Sequence, residues 1–105
     1  MGISTHVLDT ARGKPAAGLR LQIARQSSGD WEIVNEAVTD AEGRVKNLVP
    51  DVRPGTYRLR FYTAAYNKDG FFPEVTIMFE VKDPDQHYHV PLLLSPFGYS
   101  TYRGT

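Results

Sequence analysis

The chain has 105 residues, 41% of them hydrophobic, and sets 12 acidic side chains against 12 basic ones. That length fits one domain with a core of its own, and the balanced charge removes the long-range pull toward phosphate on which nucleic-acid binding depends. Cysteine is absent, which excludes disulfides, thiolate catalysis and cysteine metal sites, and agrees with a reducing compartment.

In chain order, "MGISTHVLDTARGK" holds no basic leader followed by an apolar run, so no signal peptide is expected. No stretch approaches the roughly 18–20 apolar residues of a membrane span, and the expected location is the cytoplasm. Residues 3–9 alternate, with Ile3, Thr5 and Val7 on one face and Ser4, His6 and Leu8 on the other. Residues 19–26 put Leu19, Leu21 and Ile23 on one face and Arg20, Gln22 and Ala24 on the other. Further strands are predicted at 31–38, 44–48 and 55–63, the last with Tyr57, Leu59 and Phe61 inward. In the strand at 74–81 the inward set is Val75, Ile77, Phe79 and Val81. Strands at 87–94 and 99–103 complete the set, and only residues 63–68 suit a helical turn.

The turn segments "RGKPAAG", "SSGD", "TDAEGR", "PDVRPG", "NKDG" and "KDPDQ" separate these strands at short intervals. Short alternating strands with turns this frequent predict an all-β sandwich or barrel. "HYHVPLLLSP" breaks the alternation, being apolar on both faces after His89. Either a second molecule or a loop covers its outer face. Pro91 cannot donate to a ladder, so this strand is expected to be interrupted or near an edge.

The residues able to do chemistry are few. His6 sits on the first strand, and His87 and His89 are two apart and share a side of theirs. Two histidines at that spacing chelate zinc only with a third ligand, and no cluster at metal spacing supplies one. Arg44 and Arg103 read as surface charges on composition alone. Ser95 and Ser100 lie in plain turns without a G-x-S-x-G elbow.

Three segments narrow the reading. "THVLDTARGKPA", "TDAEGR" and "HYHVPLLLSPFGYSTYRGT" closely resemble the signature segments of 5-hydroxyisourate hydrolases, the transthyretin-like enzymes of purine catabolism. "GTYRLRFYT" and "FFPEV" extend the likeness over nearly the whole chain, residues 1–105. The resemblance implies a two-sheet sandwich of about eight strands with at most one short helix, assembled as a homotetramer with sites in a channel between dimers. It implies His6, Arg44 and His89 as catalytic residues, and Tyr102, Arg103, Gly104 and Thr105 as a substrate-binding tail. His87 receives no role from it and is taken as structural. The implied reaction opens the ring of 5-hydroxyisourate with water, using no metal or organic cofactor.

Under that reading one of His6 and His89 activates water, because a neutral imidazole titrates near working pH. Arg44 stabilises the charge that develops on the attacked carbonyl oxygen. Two departures stand out: Thr105 replaces the family's usual serine, and "TAAYNKDGFFPEV" is shorter than the helical segment many members carry. The rival from another class is a transthyretin-like carrier of small aromatic ligands, which would have no use for His6, Arg44, His89 and the tail together. An immunoglobulin-like interaction module would make all three segments coincidental.

Overall fold

Alternating apolar positions become the facing surfaces of two sheets in this computed structural model, which describes residues 2–105. The strands are β1 (Ile3–Asp9), β2 (Lys14–Pro15), β3 (Arg20–Ser27), β4 (Asp30–Val38) and β5 (Arg44–Val49). There follow β6 (Gly55–Phe61), the helical turn α1 (Thr63–Tyr66), β7 (Val75–Val81), β8 (Tyr88–Ser95) and β9 (Gly98–Thr101). One sheet runs β2-β1-β8-β9 with β5 beside β1, and the other runs β4-β3-β6-β7. The fold is thus the predicted all-β sandwich with one short helix. No helix among the described residues is long and apolar enough to cross a membrane.

Ile3, Val7 and Leu92 from the first sheet meet Leu21, Ile23, Leu59, Phe61 and Val75 from the second, none more than 1% exposed. Full burial of each such side chain stabilises the fold by about 1.5–3 kcal/mol. Tyr57 stacks on Phe79 at 5.8 Å between ring centres, and its hydroxyl donates to the Arg53 carbonyl at 2.9 Å. The aromatic handle is satisfied without leaving the core.

Several expected boundaries and faces differ. Gln22 and Ala24 were expected to face outward, and they do, yet both are buried. The register sets them beside Arg60 and Arg58, whose long stems cover them. Arg58 lies 4.6 Å over the Trp31 ring, and Arg60 pairs with Glu74 at 3.1 Å. Charged side chains here act as a lid of methylenes.

The strand predicted at 55–63 stops at Phe61 because Thr63–Tyr66 turns helical. There the Thr63 hydroxyl donates to the Phe72 carbonyl at 2.5 Å. The strand predicted at 99–103 ends at Thr101, and the two-residue β2 was not expected at all.

β8 runs without interruption through Pro91 and, as the second of the two expectations has it, lies near an edge, one strand in from β9. It pairs in parallel with β1 along Tyr88–Leu94 and antiparallel with β9 along Leu92–Ser95. The carbonyls of His89 and Pro91 both point to the β9 side, where they accept from Gly104 N–H and the Thr101 hydroxyl. The N–H that proline lacks would face the same side, in the gap where β9 ends and the chain swings away. The missing donor falls where no ladder acceptor waits.

Candidate active site

One turn delivers two of the predicted residues. In "TDAEGR" the Asp40 carboxylate accepts from the backbone N–H groups of Glu42 and Arg44, each at 2.9 Å. Those bonds, the Arg44 one first, hold its carboxyl below the usual carboxylate range. Gly43 follows at φ +75°, and a Cβ there would collide with the Val7 carbonyl oxygen. Only glycine combines that left-handed backbone with so close an approach to β1. The turn is thereby pressed onto β1, where Val7 N–H donates to the Gly43 carbonyl at 2.7 Å.

Two consequences follow for the cleft. Arg44 comes into register with His6. The Glu42 carbonyl lies 2.9 Å from His6 Nε2, and because a carbonyl only accepts, that nitrogen carries the proton. Neutral His6 therefore keeps its free lone pair on Nδ1.

β8 and the tail bring the rest. His89 is in register with Ser4, two residues before His6 on the same outer face of the sheet. The Ser4 hydroxyl lies 2.8 Å from His89 Nδ1 and 2.8 Å from His87 Nε2. After β9 the chain returns, and Gly104 N–H donates to the His89 carbonyl at 2.8 Å. A Cβ on Gly104 would sit 2.6 Å from Cδ2 of His89, so the tail packs directly on the imidazole edge.

The result is a cavity of about 350 Å³ lined by Ser4, Arg44, Lys46, His87, His89 and Thr105, among others. His6 flanks it beside Arg44. Burial first, and then the charges of His6, Arg44 and His87, hold His89 below the ordinary histidine range. A histidine that stays neutral beside two cations is suited to accepting a proton.

Thus His6, Arg44, His89, Gly104 and Thr105 gather at one place. Tyr102 and Arg103 do not join them. Arg103 donates to the Gln86 side-chain oxygen at 2.9 Å and lies 4.8 Å over the Tyr88 ring, where a cation and an aromatic face attract. Both residues line an adjoining cavity of about 250 Å³ with Ile77, Met78 and Thr101, and His89 lines that cavity as well as the first.

Sequence reasoning missed Ser4, Lys46, Asp40 and Gly43 and gave His87 no part in the cleft. The i, i+2 spacing of Ser4 with His6 was the available signal for Ser4. For the turn it was the D-x-x-G spacing. Among the described residues no three His, Asp or Glu side chains lie close enough to hold a metal ion. The geometry suits general-base attack by water on a small planar carbonyl compound, with cations at the developing oxyanion.

Comparison with known proteins places nearly the whole chain among relatives. A family model described as the HIUase/Transthyretin family matches residues 3–104. A 5-hydroxyisourate hydrolase of Deinococcus radiodurans is 46% identical over 114 residues, covering 99% of this chain and 96% of the relative. The structure of Klebsiella pneumoniae 5-hydroxyisourate hydrolase superposes with a TM-score of 0.89 at 33% identity, covering all of both chains. Sea bream transthyretin in complex with thyroxine gives 0.94 at 30% identity, over 100% of this chain and 96% of that one. The sandwich is therefore shared by a hydrolase and a hormone-binding protein, and fold alone does not divide them. Matched along nearly its whole length by the family model, this chain belongs to the HIUase/Transthyretin family.

Proposed function

We propose that residues 1–105 form one hydrolase unit that opens the ring of 5-hydroxyisourate with water, giving 2-oxo-4-hydroxy-4-carboxy-5-ureidoimidazoline in urate degradation. The observation that carries this reading is His89, held neutral in a cleft beside Arg44. Where His89 donates from Nδ1 in its contact with Ser4, Nε2 is the proton acceptor for the attacking water. His6 Nδ1, fixed by the Glu42 contact, orients that water. Arg44 meets the oxygen on which negative charge gathers, and Lys46 adds a second positive charge to the same wall.

General-base help gives about 10²–10⁴ in rate, and an aimed charge donor about 10²–10³ more. Base and cation together supply what this hydrolysis needs, with no cofactor. Gly104 and Thr105 close the cleft, and Tyr102 and Arg103 anchor the tail beside the adjoining cavity that His89 also lines.

The cleft lies on the outer face of its sheet, open to solvent. Phe71, Phe97, Tyr99 and Tyr102 are exposed apolar groups, with Phe97 78% and Phe71 70% exposed. Exposed apolar surface of this kind marks an interaction face, which supports a homotetramer whose copies enclose the cleft. A cytoplasmic site of action agrees with the cysteine-free sequence.

The test is decay of the ultraviolet absorbance of freshly generated 5-hydroxyisourate on adding the protein. Decay no faster than in buffer removes the hydrolase reading and leaves the carrier.

A further inference from the structure

Beside His89 stand two linked groups, Ser4 and His87. Ser4 Oγ is 2.8 Å from His89 Nδ1 and 2.8 Å from His87 Nε2. A hydroxyl has one proton and two lone pairs, and among the described residues Ser4 Oγ meets no other acceptor, so it donates to one imidazole and accepts from the other. Of the two ring nitrogens that face it, one carries a proton and one does not. Two arrangements satisfy this with both rings neutral. In the first, His87 Nε2–H donates to Ser4, and Ser4 donates to His89 Nδ1, which puts the His89 proton on Nε2 and blocks it as a base. In the second, His89 Nδ1–H donates to Ser4, and Ser4 donates to His87 Nε2, which leaves the His89 Nε2 lone pair free.

Only the second arrangement accepts a proton at His89. It requires His87 to present a bare Nε2. A protonated His87 enforces the first arrangement and closes the site. We infer that Ser4 and His87 form a positioning relay that selects the base-competent tautomer of His89 and shares its proton during turnover. The inference rests on the hydrolase reading given above.

The step balances. Water loses a proton to His89 Nε2 as its oxygen bonds to the ring carbonyl carbon. The Nδ1 proton passes to Ser4 as the Ser4 hydroxyl proton passes to His87 Nε2, so the positive charge settles on His87. When the carbon–nitrogen bond breaks, the shifts reverse, and the Nε2 proton goes to the leaving ring nitrogen. Water's proton has moved to the amide nitrogen, and no group is left altered.

Burial and charge favour this direction. Ser4 is only 7% exposed, whereas His87 is exposed. A cation on His87 is hydrated, while one on His89 faces His6 of β1 and Arg44 and Lys46 of β5, with Thr105 of the tail opposite. Moving the charge outward relieves repulsion among like charges at the reacting centre.

The test uses the full chain as Ser4→Ala, His87→Leu and His87→Gln. Steady-state kinetics across about pH 5–8 separate kcat from KM, and ¹⁵N NMR of the ring nitrogens reports the tautomer of His89. Glutamine can accept from Ser4 but neither titrates nor carries the proton. We expect Ser4→Ala and His87→Leu to lose about tenfold or more in kcat, a part of the roughly 10²–10⁴ that general-base help supplies, with KM within about twofold. His87→Gln should recover part of that loss and remove one titration from the acid limb. In His87→Leu the His89 proton should move from Nδ1 to Nε2.

Unchanged kcat, pH profile and tautomer in His87→Leu would overturn the relay. A wild-type chain that shows the tautomer coupling without turning over the substrate would sink the hydrolase reading instead, so the two failures are separable.

Discussion

Gly104 lies against the imidazole of His89 so closely that a methyl group on it would come within 2.6 Å of Cδ2. The same residue donates its N–H to the His89 carbonyl at 2.8 Å. Gly104→Ala must therefore push either the tail or the ring. A displacement near 1 Å at a reacting group costs about 10²-fold in rate. Turnover of Gly104→Ala should fall by roughly that factor while its circular dichroism matches wild type. Full activity would remove the tail from the cleft's working parts.

His6→Ala, Arg44→Ala and His89→Ala should each lose most activity and remain folded, because the cleft lies on the outer face of the sheet and away from the core. For Arg44→Ala a loss of about 10²–10³ is expected, the usual cost of removing an oxyanion donor. Arg44→Lys should recover only part of it, since a single ammonium lacks the fork of a guanidinium. Single-variant kinetics on well-folded protein decide each assignment, and wild-type rates in any one would withdraw that residue.

The pH dependence has a definite sign. His89 is held below the ordinary histidine value, first by burial and then by neighbouring charges. It therefore stays a competent base below about pH 6.5, the unperturbed value, and kcat/KM should plateau to a lower pH than a free histidine would allow. Between the folded and unfolded values the unfolded chain binds the extra proton, so this group's contribution to stability is lost as pH falls through that window. NMR titration of Arg44→Gln should move the His89 midpoint upward, because one repelling charge is gone. A midpoint that stays fixed would remove Arg44 from its causes, leaving burial and the neighbouring histidines.

Tyr66 ties α1 to the end of β1 by donating its hydroxyl to Asp9 at 2.7 Å. Burial, followed by the Asp9 bond, pushes the Tyr66 phenol up to about 12. Burial alone would raise Asp9, but the Tyr66 hydroxyl and Arg12 outweigh it and hold the carboxyl below its usual range. Tyr66→Phe leaves a carboxylate 6% exposed short of a partner and should destabilise the fold by about 1–3 kcal/mol. Denaturant unfolding reads this directly, and turnover per folded molecule should be unchanged.

Sedimentation at micromolar concentration tests the assembly. A tetramer is expected, with the exposed Phe71 and Phe97 becoming protected from solvent. A monomer would contradict a cleft enclosed by neighbouring copies.

The sandwich was legible in the sequence because side chains on a strand alternate with period two, and the apolar sets at Leu19–Ile23, Tyr57–Phe61 and Val75–Val81 state which face turns inward. The turn "TDAEGR" was legible as a turn, yet not as the device that fixes His6 through the Glu42 carbonyl. Local pattern says nothing of what lies opposite. His6, Arg44, His89 and the tail were linked through family resemblance, with no distance to join them. Tyr102 and Arg103 share that tail but line the adjoining cavity on another side of His89, a distinction no linear motif carries.

What the sequence determined by itself was local: where strands run, which faces are apolar, and where glycine and proline must punctuate them. What the tertiary structure decided was pairing across the chain: Ser4 with His87 and His89, 83 and 85 residues away, and Gly104 with His89. The Ser4 contacts arise because β1 and β8 lie side by side in parallel, and the Gly104 contact because the tail returns antiparallel along β8. The placement of one strand beside another is set by burying both sheets' inner faces together, a property of the whole fold that no single segment holds.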